Sequence, residues 1–78
     1  MIKGTCHYLS FPISIVGADR AQYIQFWANK SIQEIEKDGS EVQSWSATPD
    51  GVVEVMMGGE PTQNVSYLLC FSVKSKPL

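Results

Sequence analysis

The pattern of apolar and polar positions divides the chain into five segments. Residues 5–16 (Thr-Cys-His-Tyr-Leu-Ser-Phe-Pro-Ile-Ser-Ile-Val) alternate, with Leu9, Phe11, Ile13 and Ile15 on one side and Tyr8, Ser10, Pro12 and Ser14 on the other. A period of two is the pattern of a half-buried strand. Pro12 cannot donate to a ladder, so it requires an edge, a bulge or a break. Gly17-Ala18 ends the strand, and Asp19 reads as an N-cap with Gln22 three residues on, the spacing of a capping box. A helical period then runs over residues 19–38, where Gly39 is placed to supply a left-handed stop. Residues 41–48 read as a second strand, Pro49-Asp50-Gly51 as a tight turn, and 52–57 as a third strand. Gly58 to Asn64 read as a loop. Residues 65–74 form the last strand, with Val65, Tyr67, Leu69, Phe71 and Val73 on one face and Leu68 and Cys70 on the other. Apolar residues on both faces mark it as central. Residues 74–78 read as a frayed tail.

These elements predict a single α+β domain in the order β-α-β-β-β: one amphipathic helix packed on a four-stranded, mainly antiparallel sheet. A crossover through the helix sets the first two strands parallel, without saying which strand neighbours the first.

At 100° per residue, Ala21, Ile24, Ala28, Ile32 and Ile35 share a stripe roughly 80° wide, which is expected to face the sheet. Tyr23, Phe26 and Trp27 lie outside it and form a second apolar cluster, continued by Lys30, Glu34 and Lys37. The first half of the helix is therefore apolar nearly all round, and the second half is amphipathic. The surplus aromatics have three readings: burial inside the monomer under strand 1 and the 58–64 loop, a subunit interface, or a ligand groove. Trp45, alternating with Gln43 and Ala47, reads as exposed on the face away from the helix, a second contact patch.

Composition narrows function mainly by exclusion. Seventy-eight residues bury a marginal core, so oligomerisation is an expected source of added stability. The net charge is −2, and the six basic residues (Lys3, Arg20, Lys30, Lys37, Lys74 and Lys76) form no stripe, which argues against nucleic-acid binding. Glu34, Glu36, Asp38, Glu41, Asp50, Glu54 and Glu60 face only Lys37 between positions 34 and 60, a solvated face or an acidic docking surface. The sequence lacks a secretory h-region and any apolar run near membrane-span length, so the chain is expected to be cytoplasmic, with no membrane partner. Cys6 and Cys70 read as free, small core residues, with a bridge between the first and last strands as the alternative.

Candidate chemistry is sparse. His7 is the single histidine, and no Ser-His-Asp or Cys-His spacing surrounds it. Cys6 and His7 are adjacent and point to opposite faces of a strand, and a Cys6–His7–Cys70 zinc site lacks a fourth ligand. Gly58-Gly59 has neither the flanking pattern nor the following helix of a phosphate loop and reads as a hairpin connection. Met56-Met57 reads as core and sheet back-face.

Residues 32–46 (Ile-Gln-Glu-Ile-Glu-Lys-Asp-Gly-Ser-Glu-Val-Gln-Ser-Trp-Ser) and 67–73 (Tyr-Leu-Leu-Cys-Phe-Ser-Val) resemble the small sporulation-type and phage-type proteins of firmicutes. There a helix leads into a strand and the last strand reads Tyr-x-x-Cys-Phe-Ser. The resemblance covers about half the chain and implies a compact β-α-β-β domain. The strand with Pro12 and the aromatic helix start depart from it. Phage-encoded inhibitors of host defence share this size and class, an analogy of size and class alone.

The resulting expectation is a non-enzymatic protein-interaction module without metal or cofactor, self-associating as a homodimer or higher oligomer or binding a protein partner. An inhibitor of a host protein would fit. The residues expected at the interface are Tyr23, Phe26, Trp27, Lys30 and Trp45. The alternative is a module that sequesters a small ligand such as a nucleotide at a subunit interface.

Overall fold

A computed structural model describes residues 2–75; of Ile2 and Lys3 it describes the backbone only, and residues 76–78 of the expected tail lie outside it. Strand β1 (Ile2–Pro12) leads into helix α1 (Ala18–Ile35), a 3-10 turn (Glu36–Asp38), and two long strands, β2 (Glu41–Met57) and β3 (Glu60–Lys74). The fold is α+β, with one helix on a three-stranded antiparallel sheet of order β1-β3-β2. β3 is central, and β1 and β2 run the same way on either side of it.

The expected fourth strand does not exist, because Pro49-Asp50-Gly51 does not turn the chain back. It forms an irregularity within β2, where the register jumps from Pro49↔Tyr67 to Val52↔Val65. Gly51 takes the positive φ of 90° that such a bulge needs and β2 continues. The reversal comes at Gly58-Gly59, with φ of 60° and 83° and Met57 paired to Glu60, a two-residue hairpin in which both central residues are left-handed. Residues 60–64, expected as loop, are therefore strand.

β1 ends at Pro12 rather than at residue 16. The helix starts after Gly17, so Asp19 lies in its first turn and makes no cap bond. Arg20 holds the intervening loop instead: its Nε donates to the Ile15 carbonyl (2.9 Å), its terminal nitrogen to the Ile13 carbonyl (3.3 Å), and its guanidinium lies 5.7 Å from the Phe11 ring centre. At the other end, Gly39 supplies the expected left-handed stop (φ 91°) and Glu36 accepts from the Val42 N–H at 2.9 Å, tying the helix end to β2.

Ala28, Leu69, Phe71 and Val73 form the buried core, with Leu9, Ile24, Ile32, Ile35, Val42, Trp45 and Ala47 against it. Four of the five stripe residues thus face the sheet, while Ala21 is exposed. Of the stripe's two alanines, Ala28 is the fully buried one, where a small side chain lets helix and sheet approach closely.

Cys6 and Cys70 are not free: they form a disulfide, directly opposite each other in register with Cα atoms 4.1 Å apart. That short separation marks a non-hydrogen-bonded pair, the close-approach site of an antiparallel ladder. The bridge lies on the sheet face away from α1, beside Tyr8, Leu68 and Ser46. Among the described residues no helix is long and apolar enough to cross a membrane.

Candidate functional site

The helix surface opposite the core is where sequence pattern and structure both leave apolar groups uncovered. An aromatic series leads outward from the interior. Tyr67 stacks on Phe11 (ring centres 5.7 Å apart), Phe11 meets Tyr23 (4.8 Å), Tyr23 meets Trp27 (6.5 Å), and Phe26 packs edge-on against Trp27 (5.4 Å). Lys30 closes the series, its ammonium 5.4 Å from the Phe26 ring centre. The five residues expected at the interface therefore separate. Tyr23 is half-buried and belongs to the monomer's packing. Phe26 and Trp27 keep 53% and 41% of their surface exposed, and Lys30 is exposed beside them.

Trp45 is elsewhere. A bulge between Val42 and Ser44 adds one residue to β2 and inverts its parity as far as the second irregularity after Pro49, so Trp45 pairs with Phe71 on the helix side. It packs half-buried against the core, its ring 6.4 Å from that of Phe71. The expectation that it faces away from the helix is overturned.

Trp27 and Lys30 border a cleft of about 500 Å³ between α1 and β1, floored by Thr5 and His7 and walled by Ser31 and Glu34. A second hollow of about 400 Å³ continues it past Leu9 and Tyr23. Within it, His7 Nε2 and Ser31 Oγ are hydrogen-bonded at 3.0 Å, the direction set by the histidine tautomer, and the His7 ring stacks on Phe71 at 5.4 Å. Sequence reasoning missed this pair, because positions 7 and 31 share no local motif and only the packing of α1 over β1 brings them together. Glu34 is engaged by Lys37 at 3.0 Å. No three metal-ligating side chains cluster among the described residues. A serine and a histidine in contact can polarise or hold a hydroxyl-bearing or anionic group, but nucleophilic catalysis also needs an orienting partner for the histidine.

A second uncovered apolar surface is the β2–β3 hairpin beyond β1, residues 52–63. Val52, Val53, Met56 and Met57 are exposed there, so neither methionine is core, while the register puts Met57 on the sheet face away from α1. No family model, no curated protein and no solved structure matches the chain.

Proposed function

We propose that this protein is a non-enzymatic interaction module that works as an oligomer, through the surface where α1 overhangs β1. Phe26, Trp27 and Lys30 are its contact residues. The observation that carries the reading is the pair of neighbouring aromatics left half-exposed on a helix whose other face already fills the core. Monomers rarely leave such groups together without a use for them, and aromatic residues dominate the energetics of interface centres. Inhibition of a host protein is a finer form of this reading, supported by size and fold class alone.

Sedimentation or light scattering tests it. Self-association that Trp27→Ala weakens about tenfold or more, with the fold retained, is the expected result. A strict monomer at high concentration excludes the oligomer. Unfolding by Trp27→Ala would place the aromatics in the monomer core.

The His7–Ser31 contact favours a second reading: the cleft holds a small ligand, with Trp27 as a stacking platform and Lys30 as counter-ion. A thermal-shift screen against nucleotides and other small anions tests this, and the absence of any stabilising ligand counts against it.

A further inference from the structure

The backbone of β1 specifies how that surface is used. Cys6 and Cys70 form a non-hydrogen-bonded pair, so the N–H and C=O of Cys6 point away from β3. The ladder has no irregularity from Ile2 to Pro12, and the same therefore holds for Gly4, Tyr8 and Ser10. The donation from Ile13 N–H to the Gln63 carbonyl (3.1 Å) agrees, since it assigns odd-numbered residues to β3. Pro12 belongs to the outward set, where its missing N–H costs the sheet nothing. Among the described residues β1 thus offers four regularly spaced, unpaired donor–acceptor rungs along an unbroken edge. β2, the other edge, is interrupted by two bulges and carries Pro49, devices that discourage pairing.

We infer that a second copy of this chain docks on this edge, β1 against β1 in antiparallel register, fusing the two sheets into one of six strands. The inference rests on the interaction-module reading and adds its occupant and geometry. The register that uses all four rungs pairs Gly4 with Ser10 of the second copy and Cys6 with Tyr8 of the second copy, on a twofold axis through His7. Both helices then lie on the same side of the sheet.

Three observations favour a second copy. First, the cleft beside β1 carries one cation, Lys30, and one carboxylate, Glu34, whose exposed pairing with Lys37 is weak enough to be shared with a cation of the second copy. Duplicated about a twofold axis, this pair is complementary to itself, whereas a purely acidic or basic partner would satisfy half of it. Second, Trp27 and Tyr8 flank the same edge, with 41% and 66% of their surface exposed, so edge pairing brings each aromatic group toward its counterpart. Third, the chain exposes 5488 Å², whereas about 4,700 Å² is usual for a monomer of this mass. An excess of this size reflects the elongated β2–β3 hairpin as well as the uncovered α1–β1 face. The hairpin of residues 52–63 holds part of it, but the free rungs and the self-complementary cleft are both at β1.

Amide hydrogen exchange followed by NMR, on the unaltered disulfide-bonded protein at low and high concentration, reads the geometry directly. The N–H groups of Gly4, Cys6, Tyr8 and Ser10 are expected to exchange freely in dilute solution and roughly tenfold or more slowly in the associated form, while those of Thr5, His7 and Leu9 are protected in both. Tyr8→Pro removes an outward N–H without touching the β3 ladder and is expected to leave a folded monomer. If the protein associates while the even-numbered β1 amides stay as labile as in dilute solution, edge pairing is overturned and the interaction-module reading stands on another surface. A monomer at millimolar concentration overturns both.

Discussion

Leu69 and Phe26 mark the two extremes of what an apolar side chain does here. Leu69 is fully buried on the central strand, opposite His7 and Ala47 and beneath Ala28 and Ile32. Leu69→Ala leaves a cavity that neither sheet nor helix can close, and a loss of about 2–5 kcal/mol is expected in a denaturant titration. Phe26 is 53% exposed and meets Trp27 and Lys30 at the surface, so Phe26→Ala is expected to cost under about 1 kcal/mol of monomer stability. Comparable losses at the two sites would mean that Phe26 is buried in solution. The periodicity distinguished these roles because it depends only on the angle at which each side chain leaves the helix. It set Tyr23 among the surplus aromatics, and of the three readings open for them Tyr23 takes burial under strand 1, half-covered by Phe11 at the end of β1.

Between elements, β1 is held to β3 by its ladder and by the Cys6–Cys70 bridge, which closes a loop spanning a sequence separation of 64. In the chain-entropy view, cross-linking residues that far apart stabilises the fold by roughly 4 kcal/mol, a large share of what a domain this small possesses. Reductant, or Cys6→Ser with Cys70→Ser, is therefore expected to lower the melting temperature by well over ten degrees. A change of only a degree or two would show that the ladder and core hold β1 alone. The pairing was legible as an option, because both cysteines sit in strand patterns. The alternation could not say that β1 neighbours β3, and with any other neighbour the thiols are out of reach. β2 carries the same lesson. Gly51 and its neighbours have turn chemistry, and the residues on either side have strand chemistry. Whether the chain reverses there or kinks and continues depends on β3 being long enough to pair with both halves.

As a whole, the molecule is elongated. Its extents are 51 × 25 × 19 Å and its radius of gyration is 14.8 Å, where about 12 Å is usual for a compact chain of this length. The length comes from the β2–β3 hairpin running past β1 and α1, and residues 52–63 contribute nothing to the buried core. Replacing residues 55–62 by Asn-Gly, a pair suited to the reversal, is expected to leave the melting temperature within a few degrees and to lower the radius of gyration in small-angle scattering. A large loss of stability would show that the arm supports the core.

The sequence by itself determined the elements that depend on local chemistry. The helix follows from its period and Gly39, the central strand from its two apolar faces, the Gly58-Gly59 reversal from two residues that accept positive φ, and the surplus aromatics of α1 from their angles. Only the tertiary structure decided the face of Trp45, the merger of two strands into β2, the Cys6–Cys70 bridge and the meeting of His7 with Ser31. Each depends on which strand lies beside which, and in what register. A single extra residue at a bulge inverts every side chain beyond it, and no local pattern records that inversion.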